Sequence, residues 1–152
     1  MTTKISTIFD ALDSLISGQL TDYARIPNAY DMASNANLFV LKGYAIGISS
    51  ALNSERQLGC NLSIKRTFNV LLTQQITANS TDFDGFNLVA KTLFEDQYKI
   101  IKAIEKDATI NSGQVVSRYV GDGGLEFMVA GQAKYFMVEM QFDCEYFENL
   151  NP

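Results

Sequence analysis

The chain contains no histidine, and that absence removes the commonest general base and the commonest metal ligand from any mechanism it could run. A serine or cysteine triad of the usual kind is excluded with it. Cysteine is nearly missing too. Cys60 and Cys144 are the whole supply, and two cysteines without histidine cannot build a conventional structural zinc site. No dense cysteine framework and no secretory signal accompany them, so they read as two small buried hydrophobes rather than a disulfide or redox pair. Basic runs are also lacking. The 12 Lys and Arg residues are scattered and the formal net charge is −5, which argues against general nucleic-acid binding, because counterion release needs clustered cations. An acidic surface is still compatible with lining a channel through which DNA slides without sticking. No apolar run approaches a membrane span, and the first residues lack the basic and apolar regions of a secretory signal, so a cytosolic product is expected. Internal repeats, low-complexity tracts and linkers are likewise missing.

What the chain does have is alternation. Its 152 residues, 47% of them hydrophobic, are enough for one domain, residues 1–152, with a sizeable core. Between residues 60 and 77, Cys60, Leu62, Ile64, Phe68, Val70, Leu72 and Ile76 share one parity. Polar residues hold the other, with Leu71 the exception. Between 134 and 147, Phe136, Val138, Met140, Phe142, Cys144 and Tyr146 line one face, and Glu139, Gln141, Asp143 and Glu145 the other. Period two over such lengths predicts strands with one face in a core and one face wet. Unbroken, the first would span about 60 Å, whereas a compact body of this size is only about 40 Å across. Such a strand must bend, break at a bulge or project, and projection usually serves a partner.

Helical spacing occurs twice. Ile5, Ile8, Phe9, Leu12, Leu15 and Ile16 predict a helix over 3–17, with Gly18 placed to end it. Phe86, Val89, Ala90, Leu93, Phe94, Gln97, Ile101 and Ile104 predict another over 84–106, with Thr81, Asp82 and Asp84 competing for its N-cap. Residues 19–37 form a long polar connection whose Tyr23, Ile26 and Tyr30 point to partial burial. Strands are expected over 38–49, 60–77, 114–120, 125–130 and 134–147, with Gly121-Asp122-Gly123-Gly124 turning the chain between two of them. The order α-β-β-α-β-β-β defines an α+β domain: a largely antiparallel, possibly mixed, sheet of about five strands with two helices on one face.

Candidate chemistry is thin. The Gly121–Gly124 run lies between strands, so it reads as a turn rather than a phosphate cradle. Asp82-Phe83-Asp84-Gly85 resembles part of a calcium loop, but the bidentate glutamate position would hold Lys91. Glu139, Asp143 and Glu145 share a strand face at almost 7 Å per step, a spacing suited neither to one metal nor to a shared proton. An exposed or interface face is the better reading. Lys65 and Arg66 sit on opposite faces of the long strand, and Arg66 breaks the apolar parity. No catalytic constellation, metal site or cofactor site emerges, and a non-enzymatic role is expected. The contact candidates come from pattern: Asn53, Glu55, Arg56, Lys65, Arg66, Gln74 and Gln75 for a subunit or tube interface, and Glu139, Asp143 and Glu145 for an acidic bore or boundary face.

Several phrases resemble the tail terminators of lambda-like long-tailed phages. They are Ile26-Pro27-Asn28, the run from Asn37 to Ile46, Arg56 to Cys60, Arg66 to Val70, and Glu145 to Glu148. The resemblance implies a small α/β fold assembled as a homo-hexameric ring in the virion tail, built in the host cytoplasm. Such a ring sits on the tail tube protein, stops tube growth and meets the head-tail joining protein. DNA passes through its bore without specific binding. Close rivals are a tube subunit or a head-tail joining subunit. From a different class comes a small-ligand domain with a pocket among Phe127, Phe136, Phe142 and Tyr146, although those aromatics more simply fill a sheet–helix interface.

Overall fold

A computed structural model describes residues 4–26, 41–52, 61–77, 83–106, 109–110, 115–130 and 132–149. Helix α1 runs over Lys4–Gln19 and helix α2 over Phe83–Lys106. The strands are β1 (Ala24–Arg25), β2 (Lys42–Leu52), β3 (Asn61–Ile76), β4 (Thr109–Ile110), β5 (Val115–Ala130) and β6 (Ala133–Asn149). They form one sheet in the order β1-β2-β3-β6-β5-β4. The expected α+β class holds. The sheet is mixed only because the two-residue β1 runs parallel to β2; the other pairings are antiparallel.

Both helices lie on one face, and the parity of the sequence explains why. Tyr44, Phe68, Val70, Leu72, Val138, Met140, Phe142, Cys144 and Tyr146 all project to that side. They join Ile8, Leu12 and Ile16 of α1 and Leu93, Ile100 and Ile104 of α2 in a single core. Most of the expected stripe of α2 holds, with Val89, Leu93, Gln97 and Ile104 buried and Phe86, Ala90 and Ile101 half-buried. Its edges shift: Asp96 and Ile100 are buried as well, and Phe94 is 43% exposed. Gly18 does not stop α1: the Leu20 amide still donates to the Ile16 carbonyl at 2.8 Å, and the chain then turns at Thr21 and Asp22. Asp84 lies within α2 rather than capping it. Thr81, Asp82, Tyr30 and Cys60 fall outside the described residues. Tyr23 and Ile26 are buried as expected.

The largest departure is β5. A turn at Gly121–Gly124 was expected, but residues 115–130 form one strand with two bulges. Tyr119 faces Phe142 and Gly121 faces Gln141, which leaves Val120 extra. Asp122 faces Met140 and Leu125 faces Val138, so Gly123 and Gly124 together oppose a single residue. Gly124 takes a φ of +79°, open to glycine at little cost. The Asp122 carboxylate holds this bend. It accepts from the Gly124 amide at 3.0 Å, the Tyr119 hydroxyl at 2.6 Å and the Gln97 side chain of α2 at 3.0 Å. An Asp-Gly pair that closes hairpins elsewhere is here bound into a strand, because β6 offers 17 residues of partner.

β6 runs past its cover, whereas β3 keeps its last residue, Ile76, buried. On β6 the helix-facing residues are buried only from Val138 to Tyr146, about 30 Å of a strand roughly 55 Å long. Phe136 and Glu148 are half-buried and Lys134 is exposed. β3 pairs with β6 without interruption from Asn61 opposite Asn149 to Ile76 opposite Lys134, so neither strand breaks to shorten itself.

Candidate assembly surfaces

The open face of the sheet carries the polar parity, and its two ends differ. At one end β1 carries Ile26 onto the sheet. Ile26 packs on Ala45 and Leu71, with Met128 and Met137 beside them. A side chain at Gly43 would collide with Ile26 and lie 3.1 Å from the Thr73 hydroxyl. This end is sealed.

At the other end Lys65, Arg118, Asp143 and Glu145 line a shallow recess of about 220 Å³. The pairing explains the grouping: Glu145 lies opposite Lys65 on one side and Val116 on the other, while Asp143 lies opposite Thr67 and Arg118. Thr67 donates to Asp143 at 2.8 Å, and Ser63 donates to Glu145 at 3.2 Å. Arg118 was not a sequence candidate. Counting straight back from the Ala130–Ala133 pair sets it opposite Glu145; the two bulges move it to Asp143. The face expected to be acidic therefore alternates in sign. Glu139 stands apart, half-buried opposite Leu71 in the middle of the sheet.

The other candidates divide between the sheet's ends. Gln74 and Gln75 lie at the sealed end, opposite Phe136 and Tyr135. They are about 30 Å along β3 from Lys65 and Arg66. The described interface candidates thus fall in two separate places. Arg66 points to the helix side between Ala51 and Cys144, with its Nε buried and without a hydrogen-bond partner; the Gln74 Oε1 is in the same condition. Asn53, Glu55 and Arg56 lie outside the described residues.

The charged pairs closer than 4 Å among the described residues are structural straps. Asp96, buried in α2, accepts from the Tyr23 hydroxyl at 2.9 Å and from Lys99 at 2.7 Å, with the Lys42 amine at 3.8 Å. Lys42 also reaches Asp22 at 2.8 Å. Asp13 takes the Tyr44 hydroxyl at 2.8 Å and Arg25 at 3.0 Å. Burial and these carboxylates raise the tyrosine pKa values: Tyr23 rises well above its ordinary range and Tyr44 goes up to about 12. Burial also pushes the free Cys144 thiol up to about 12. At neutral pH the phenols are donors and the thiol is protonated, so these groups hold parts together rather than activate anything.

Phe142 and Tyr146 are buried in the core. Phe142 packs on Tyr119 at 5.7 Å, and Phe136 packs edge-on against Phe86 at 5.9 Å and Phe127 at 6.1 Å between ring centres. Phe142 and Tyr146 thus fill the helix–sheet layer, Phe136 packs half-buried at its end, and Phe127 lies at the margin with 53% exposure. Among the described residues no cluster of three or more carboxylates or thiols could hold a metal ion, and no helix is long and apolar enough to cross a membrane. A scan of known protein families found no model that matches the chain, and a search of curated proteins found no match either.

Proposed function

We propose that this chain is a structural subunit of a phage tail: a terminator that caps the tail tube as a hexameric ring, stops its polymerisation and offers the head-side surface to the joining protein. The observation that carries the reading is the excess of strand over cover. β3 and β6, 16 and 17 residues long, pair along their length, yet on β6 full burial of the helix-facing side is confined to Val138–Tyr146, with Phe136 and Glu148 half-buried and Lys134 exposed. A chain that folds for its own sake has little reason to extend paired backbone beyond its core. The phrases resembling tail terminators support the same reading, as does the use of buried polar groups for bracing rather than chemistry. The recess of alternating charge at Lys65, Arg118, Asp143 and Glu145 suits a subunit or tube contact, where complementary charges fix register. DNA passing through the bore would meet no concentrated basic surface to stall on.

The test is solution mass by light scattering across a concentration series, with negative-stain images of the same samples. Hexameric rings, forming alone or on purified tail tubes, support the proposal. A strict monomer at high concentration that does not bind tail tubes contradicts it.

A further inference from the structure

We propose that the outer edge of β5, from Leu125 to Ala130, takes the outer edge of β2 from a second copy of this chain. The inference rests on the ring reading above and names the contact that closes the ring. After Ser117, β5 has no buried residue among those described. Leu125, Phe127 and Val129 project on the helix side at 36, 53 and 56% exposure. Beyond β4, which pairs only with Val115 and Val116, no described strand covers the outer side of β5. Natural edge strands are usually blunted by lysine, proline or inward-pointing charge. Residues 119–130 contain no Lys, Arg or Pro, and the Asp122 carboxylate is committed to the bulge.

The same chain supplies a matching strand. β2 from Gly43 to Leu52 has neither charge nor proline, and β1 pairs with only Gly43 and Tyr44 of it. Strand direction alternates along β2, β3, β6 and β5. A copy set alongside with its helices on the same side and its strand direction kept, shifted by about 26 Å along the strands so that β5 clears β1, therefore brings β2 antiparallel to β5, and the alternation continues through the junction. Ile46 and Ile48, the latter 42% exposed, then extend the apolar row of Leu125, Phe127 and Val129. A nucleic acid would find no cation on this edge, and would face Glu126. A two-fold pair of β5 edges would leave both β2 edges open.

The contact is head-to-tail, so it builds rings or filaments rather than dimers. Its paired edge is about 20 Å long, which with flanking side chains covers a few hundred Å² per partner, well below the roughly 800 Å² of a stable free complex. One junction is weak, and closure, with two junctions per subunit, holds the assembly.

The test uses Phe127→Lys and Val129→Lys beside the unaltered chain in the light-scattering series, with circular dichroism to show that each is folded. Both variants should stay monomeric at concentrations at least tenfold above those at which the unaltered chain assembles. In a Cys60→Ser background, Ile48→Cys combined with Val129→Cys should give a ladder of covalent multimers with a short bismaleimide, and neither change alone should. Lysine variants that assemble like the unaltered chain overturn this contact and leave the ring reading standing. Covalent dimers from Val129→Cys alone overturn it in favour of paired β5 edges. An unaltered chain that never assembles, even on tail tubes, removes the ring reading and this contact together.

Discussion

β5 and β6 are neighbours in one sheet, 16 and 17 residues long and paired from Ala130 opposite Ala133 to Val116 opposite Glu145, yet they live in different environments. On β6 the residues Val138, Met140, Phe142, Cys144 and Tyr146 are all buried. Among the described side chains of β5 only Ser117 is, while Val120, Leu125, Phe127 and Val129 stand exposed. Composition does not separate the two. Position does: β6 lies between β3 and β5 beneath both helices, and β5 lies at the margin, held to α2 by Gln97 on Asp122 and by Glu105, which accepts from the Tyr119 amide at 2.6 Å. An interior strand spends its apolar side chains on its own core. A marginal strand with the same kind of side chains has them to spare.

Substitutions can break that comparison. Phe142→Ala on β6 should cost about 3–5 kcal/mol by removing a fully buried ring. Phe127→Ala on β5 should cost the isolated subunit about 1 kcal/mol or less. Equal losses in urea titrations would mean that β5 is as deeply integrated as β6. Asp96→Ala should come next, at about 2–3 kcal/mol. It leaves the buried Tyr23 hydroxyl without its acceptor and loosens the link from α2 to the chain entering β1.

Acid sharpens the picture further. Hydrogen bonds from Tyr119, Gly124 and Gln97 hold the Asp122 carboxyl below its usual 3.8, with the Tyr119 contact the largest cause. A depressed folded-state pKa contributes stability that is present above about pH 4 and is lost as pH falls through the folded value. Asp122→Asn should therefore weaken the chain modestly at pH 7 and flatten its further loss between pH 4 and pH 2, followed by denaturant titration at each pH. An unchanged acid limb would show that the bulge does not depend on the carboxylate. The smallest effect on stability belongs to Val129→Lys, within about 0.5 kcal/mol on the isolated subunit, although the same change should abolish assembly.

Much of the fold was legible because parity survives in β3 and β6, where one face meets the helices and the other is covered chiefly at the end that Ile26 seals. The α+β class, the helix–sheet core and the surplus strand length all follow from that pattern. β5 was not legible as one strand. Asp122-Gly123 has the local chemistry of a turn, and only the length of β6 and the hydrogen bonds to Gln97 and Tyr119 keep the chain extended through it. The edges of the α2 stripe shifted for a related reason: whether Phe94 or Ile100 faces the sheet depends on the helix phase, which a stripe of mixed residues leaves loose. Among the site candidates, Asp143, Glu145 and Lys65 do come together. Arg118 was hidden behind two bulges that no local spacing reveals. Gln74 and Lys65 share a strand but stand at opposite ends of it, a distance that residue type alone does not report.

Hydrogen exchange resolved to β5 and β6, at low and at assembling concentration, tests most directly whether the β5 edge is built for a copy of the chain. Assembly through that edge predicts that Val138 to Tyr146 are protected at both concentrations. The outward amides between Leu125 and Ala130 should exchange quickly when dilute and slow at least tenfold on assembly, together with those of β2 between Ala45 and Leu52. Fast exchange at Leu125 to Ala130 in assembled particles would contradict it.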